Sequence, residues 1–355
     1  MNWRNRRLLD LFGFEHPILL APMAGATNVD MVVRMNQAGG LGGLGAAGIK
    51  PDALRTMVRD IKSASSRPFQ VNLFAAETEH WPEVSMGPGI RNKLLGYHAE
   101  MALGALPVSG PLFGPVADQL TILLDEQVPV ISFHFGVDAE TVARIHQAGS
   151  RVLCSATTVD EARVLADRGV DAIIAQGSEA GGHRGTFLGD YRHALIGTMA
   201  LVPQIVDAVT VPVIAAGGIM DARGLVAALA LGASAVQMGT AFLGCREAPI
   251  AGVWRDKLLS SQADDLVVTK ALSGKPARGL RNRYVDEIDA LNEPLLPYPL
   301  QYSVTRALRR EAQLQNNPDF LAMWSGQGIG MLQDSDIASL MAALVTDTKN
   351  LMQRL

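Results

Sequence analysis

The sequence predicts an α/β fold, a (β/α)8 TIM barrel with a smaller, mainly helical domain inserted after its eighth strand. Three observations lead there. Eight short runs rich in Val, Ile, Leu and Ala recur up to Gly239, helical segments lie between them, and the pattern breaks after Gly244. Continuous apolar runs are what strands covered on both faces look like, and parallel strands need crossover helices. Eight such units within roughly 240 residues suit a closed barrel better than an open doubly wound sheet.

The expected strands are Pro17–Ala21, Leu41–Gly45, Phe69–Phe74, Val128–Phe133, Arg151–Ser155, Ala172–Gln176, Val211–Ala215 and Ala235–Gly239. Between them, Asp160–Arg168 has apolar spacing near the helical period and stops at Gly169, and Asp221–Ala230 starts on a capping Asp and stops before Gly232. The stretch from Glu77 to Gln127 is longer than one crossover helix needs, and its Pro/Gly-rich piece, Trp81–Gly89, predicts a mobile loop over the barrel mouth. Past Gly244, the residues to about Gly330 hold six prolines and two basic helical stretches without a further apolar strand. Residues 246–330 are therefore read as a substrate or lid domain, and 1–245 as the barrel. Apolar residues at helical spacing from Ile337 to Leu355 allow the segment 331–355 to supply the eighth barrel helix.

Composition narrows the partners. With 355 residues, 48% hydrophobic and 19% charged, there is ample apolar material for a large core. A net charge of -4 offers no basic footprint for nucleic acid, so a small molecule is the expected partner. Cys154 and Cys245 are not closely spaced, which predicts buried small hydrophobes and no metal site. Arg4, Arg6 and Arg7 before Leu8 imitate an export signal, but Asp10 and Glu15 interrupt it, and glycines and polar residues cut the uncharged span Gly224–Gly244. A cytoplasmic protein without a membrane span, monomeric or homodimeric, is expected.

In a TIM barrel the site forms at the carboxyl ends of the strands, so the residues there carry the functional reading. Pro22-Met23 after the first strand offers backbone groups and a soft side chain to a planar ring, or else Met23 is simply core. Asn72 and Gln70 alternate onto one side of the third strand and need polar partners. Gly217-Gly218 after the seventh strand and Gln237-Met238-Gly239-Thr240 ending the eighth point to a phosphate cradle of backbone N–H groups. The sixth strand runs into Gln176-Gly-Ser-Glu-Ala-Gly-Gly-His-Arg-Gly185, where glycines leave His183 exposed on a loop as a general base. Glu179 is expected to orient that loop through backbone N–H groups. His134, after the fourth strand, is a second candidate or a barrel-mouth hydrogen bond. Tyr298, Tyr302 and Arg306, four apart, present phenols and a cation to an anionic substrate or else form a solvated face. Trp324 is placed near the mouth or serves as a packing anchor.

Together Pro17-Ile-Leu-Leu-Ala-Pro-Met-Ala-Gly25, Gln70-Val-Asn-Leu-Phe74, Ser132-Phe-His-Phe-Gly136, the His183 stretch, Ala215-Ala-Gly-Gly218 and Gln237-Met-Gly-Thr240 resemble class I nitronate monooxygenases, also called 2-nitropropane dioxygenases. The resemblance spans most of the first 240 residues and implies FMN held by Pro22, Met23, Asn72, Gln176, Gly181, Gly217, Gly218 and Gln237 through Thr240, with His183 catalytic. It implies oxidation of alkyl nitronates, propionate 3-nitronate among them, with O2 to a carbonyl compound and nitrite, His183 taking the α-proton of neutral nitroalkanes. Thr27-Asn28 departs from the family's smaller residues, and beyond Gly244 the likeness thins except at Trp324-Ser-Gly-Gln327. Alternatives are an FMN-dependent enoyl-thioester or quinone reductase using NAD(P)H, and a flavin-binding barrel without catalysis.

Overall fold

A computed structural model describes residues 3, 5–75, 85–107 and 115–354. In chain order the strands are β1 (Ile18–Leu20), β2 (Gly42–Gly45), β3 (Phe69–Phe74), β4 (Val130–His134), β5 (Arg151–Ala156), β6 (Ala172–Gln176), β7 (Gly182–His183), β8 (Val213–Ala216), β9 (Ala235–Met238), β10 (Leu266–Thr269) and β11 (Ala277–Leu280). Eight of them form one parallel sheet in the order β1-β9-β8-β6-β5-β4-β3-β2. A parallel bridge between Leu19 and Leu41 joins its two ends, so the sheet closes into the TIM barrel. The eight barrel strands stand where the apolar runs predict them. Four start late: β1, β4 and β8 begin one residue after Pro17, Pro129 and Pro212, which lack the N–H that a ladder needs, and β2 begins at Gly42 rather than Leu41.

The crossover helices follow their sequence signals. Asp138, Thr158 and Asp221 accept from backbone N–H groups at the starts of Ala139–Gln147, Val159–Asp167 and Ala222–Ala230. Gly169 and Gly232 take φ of 88° and 97° just past two of the helix ends, a conformation that side-chain-bearing residues resist. Helix Ile337–Arg354 packs against both Ala222–Ala230 and Val29–Gln37, the neighbours an eighth barrel helix would have. Cys154 and Cys245 are free and buried, and burial raises both thiol pKa values, that of Cys245 to about 12.

The region after β9 differs from expectation. It contains two strands, β10 and β11, paired antiparallel, and β11 pairs in turn with β7, so Ala277 faces His183 and Arg278 faces Gly182. Its short helices build a second core around Leu258, Tyr284, Ile288, Leu308 and Phe320. Helix Pro88–Glu100, from the long stretch between β3 and β4, joins this core through Ile90, Leu94 and Tyr97. The first part of the expected mouth loop at Trp81–Gly89, residues 81–84, lies outside the described residues; its last two residues open helix Pro88–Glu100, and the Gly87 N–H donates to Pro294 O at 3.0 Å. Among the described residues no helix is long and apolar enough to cross a membrane.

Candidate active site

The loop after β6 is tied down at almost every turn. Gln176 spans it, with Nε2 donating to His183 O at 2.9 Å and Oε1 accepting from the Gly185 N–H at 2.8 Å. His134 Nε2 donates to the same carbonyl at 2.9 Å, and its Nδ1 meets Ser155 Oγ at 3.1 Å. Arg184 is buried and donates to the carbonyls of Gly177, Gln176 and Ala194, which locks the loop base from below. Desolvation lowers its pKa to about 10, still cationic at neutral pH. Across the loop, the Glu161 carboxylate is buried and accepts from Thr157 N and Oγ1 and from the N–H groups of Phe187 and Leu188. From the insertion, Arg278 Nε donates to Ser178 O at 3.0 Å, and a Cβ added at Gly181 would collide with the Ser325 carbonyl carbon.

This corrects two expectations. His183 is not exposed on an open loop: its ring sits among those of Phe74, Phe135, Tyr298 and Trp324, with centroids 5.4 to 6.1 Å away. Nor does Glu179 hold the loop's own N–H groups. It accepts from Thr198 N and Oγ1 and so caps helix Thr198–Ala208, while Thr198 Oγ1 goes on to Gly217 O. Burial, then the nearby His134 and Lys275, lower the His183 pKa to about 3, and burial lowers His134 to about 4. Both imidazoles are therefore neutral at neutral pH.

At the carboxyl ends of the barrel strands lies a cavity of about 500 Å³, within the range of cofactor and substrate pockets. Its lining includes His183, His134, Pro22, Met23, Asn72, Gln176, Gly181, Gly217, Gly218, Gln237, Met238, Gly239, Thr240, Tyr298, Tyr302, Arg306 and Trp324, so the structure gathers these residues at one mouth, whereas Gln70 and Glu179, also singled out from sequence, are not part of the lining. The lining residues differ in the chemistry they offer. Both ends of the Gln176 carboxamide serve the loop. His134 spends both ring nitrogens on Ser155 and His183, so it buttresses the loop as well. Tyr298 precedes helix Leu300–Val304, and Thr305 separates that helix from Arg306–Leu314, so no single helix carries the three residues. By contrast, Gln70 Nε2 donates to Gln237 Oε1 at 3.2 Å, leaving Gln237 Nε2 as a donor, and Asn72 donates to Ser132 Oγ at 3.1 Å, leaving its Oδ1 as an acceptor.

Sequence reasoning missed Lys50, Trp254 and Arg309, which also line the cavity. Arg309 lies 3.4 Å from the Tyr302 ring centroid and donates to Tyr302 O, holding that phenol's helix turn. Lys50 follows the second barrel strand closely enough that the rule used for the other strands applied to it. Among the described residues no Asp or Glu is in the lining, while Lys50, Arg306 and Arg309 are. Among the described residues no cluster of His, Cys, Asp and Glu could hold a metal ion. The unexpected Thr27-Asn28 is structural: Thr27 Oγ1 donates to Met23 O and accepts from Gly45 N, and Asn28 caps helix Val29–Gln37.

A TIM barrel with a mouth cavity holding two neutral imidazoles beside aromatic rings and cations defines an enzyme acting on small molecules. The chain belongs to the nitronate monooxygenase family, whose model matches residues 5–347, and it is thereby an oxidoreductase. It is 36% identical over 358 residues to a probable nitronate monooxygenase of Staphylococcus aureus strain JH9, covering 99% of each chain. Among solved structures, nitroalkane oxidase from Streptomyces ansochromogenes superposes with a TM-score of 0.89 at 35% identity, over 98% of this chain and 99% of that one. FabK from Thermotoga maritima follows with a TM-score of 0.78 at 28% identity, over 99% and 98%.

Proposed function

We propose that this enzyme oxidises alkyl nitronates with O2 to a carbonyl compound and nitrite, using FMN, and that His183 deprotonates neutral nitroalkanes. The family and the nitroalkane oxidase neighbour support nitronate or nitroalkane oxidation. The observation that carries the rest is a neutral imidazole facing a cavity whose charged lining, among the described residues, is cationic.

The lining fits FMN. Gly217 and Gly218 hold φ of 118° and 70°, beside Gly239 and Thr240, in the part of a TIM barrel that commonly receives phosphate. Asn72 Oδ1 and Gln237 Nε2 offer the acceptor and donor that the alternating edge of a flavin ring needs. When bound, the flavin supplies one-electron oxidation. The chain's residues do the remainder: Lys50, Arg306 and Arg309 draw in an anion, the aromatic rings flank His183, and Gln176 and His134 hold it in place. Residues 246–330 act as the substrate-side domain that completes this aromatic flank.

His183→Asn is expected to lower kcat/KM for a neutral nitroalkane by about 10²- to 10⁴-fold while preformed nitronate is still oxidised, since only the former needs a base. Undiminished turnover of the neutral nitroalkane would remove the base role. Anaerobic mixing tests the reaction class: nitronate bleaches the bound flavin, whereas rapid bleaching by NADH without nitronate response would select the reductase reading. Yellow protein inert to both would leave only flavin binding.

A further inference from the structure

We infer that Ser273 is a positioning residue that fixes the tautomer of His183, so that Nε2 carries the ring proton and Nδ1 holds the lone pair that accepts the substrate's α-proton. This rests on the base role proposed above. Ser273 lies in the turn between β10 and β11 and is fully buried. Its Oγ is 2.9 Å from His183 Nε2. The hydroxyl has a single proton, and that proton goes to Lys275 O at 3.0 Å, while the Lys275 N–H donates back to Oγ at 3.3 Å. What Oγ has left for the imidazole is a lone pair, so His183 Nε2 must be the donor.

The other ring nitrogen is then unprotonated. Nδ1 has no hydrogen-bond partner among the described residues and is not among the buried polar atoms sealed from solvent, and the residue lines the cavity. The backbone supports the same orientation, because His183 O is held by both Gln176 and His134, and the His183 backbone pairs with Ala277 of β11. In the step this serves, the α C–H bond of a neutral nitroalkane breaks, its proton binds Nδ1, and its electron pair remains on the substrate as the nitronate. No oxidant takes part. The imidazolium formed keeps its Nε2–H on Ser273.

Ring-¹⁵N-labelled histidine in the holoenzyme, with His183→Asn to assign the resonance, reads the tautomer directly. A protonated Nε2 and an unprotonated Nδ1 are expected, whereas a proton on Nδ1 would overturn the assignment whatever the enzyme oxidises. Ser273→Ala should convert that signal to a tautomer mixture. It should also lower kcat/KM for a neutral nitroalkane about tenfold more than for its preformed nitronate, with Ser273→Thr restoring both. Equal losses on the two substrates, or an unchanged ring spectrum, would mean that Ser273 only packs the turn. If wild-type enzyme turned over neither substrate, the functional reading would fail while the spectrum still decided the tautomer.

Discussion

At the residue scale, the decisive property of His183 is that burial keeps it neutral. An ordinary histidine titrates near 6.5, and a base that titrated there would lose rate below that pH. With the folded pKa lowered to about 3, kcat/KM for a neutral nitroalkane is expected to stay level as pH falls from 8 to 5, and a pH–rate profile with an acid limb near 6.5 would contradict the enclosed ring. The same shift has a stability consequence. In the unfolded chain His183 and His134 protonate below 6.5, whereas in the fold they resist to about 3 and 4, so the unfolded state binds more protons in that window. Their contribution is complete above 6.5 and is lost as pH falls. By pH 5 the pair should cost about 2 kcal/mol, half the unscreened figure because both rings reach the cavity's solvent, and urea unfolding at pH 7 and 5 measures it.

At the scale of elements, the His183 loop is shaped by groups far from it in sequence. The buried Glu161 holds its outgoing arm by two backbone N–H groups and makes no direct ion pair among the described residues, so its removal strands four donor contacts. Glu161→Ala should destabilise the protein by about 3 kcal/mol in chemical denaturation, and a loss under 1 kcal/mol would mean that water replaces the carboxylate. The sequence made some of this legible. Barrel strands announce themselves because both faces are buried and their runs are uninterrupted, and helix starts because Asp and Thr caps act locally. β11 could not be read the same way: Ala277-Arg-Gly-Leu280 has no apolar run, and its pairing with a two-residue strand among glycines is set by tertiary contact. β10, Leu266-Val-Val-Thr269, does carry β-branched residues, but at four residues it is too short to stand apart from a turn. Most cavity residues after strands were found because the fold fixes where to look, Lys50 after the second barrel strand being missed, whereas Ser273 and Arg309 come from the insertion, for which no such rule exists.

At the scale of the whole molecule, charge is distributed against the average. The chain carries a net charge of -4, yet its cavity holds Lys50, Arg306 and Arg309 with no carboxylate in the lining among the described residues. A patch of one sign inside a chain of the other sign concentrates anions at the mouth and excludes them elsewhere, which acts first on the association rate. Nitronates are anions and nitroalkanes are neutral, so the same cavity should treat the two differently. Lys50→Glu and Arg306→Glu are each expected to lower kcat/KM for a nitronate about tenfold and to flatten its decline with added salt, because the screened attraction is already gone. A neutral nitroalkane should lose much less and show little salt dependence in any variant. If both substrates fell together, the cations would be holding the cofactor or the fold, and flavin content measured after gel filtration would separate those two cases: colourless variants for the first, aggregated ones for the second.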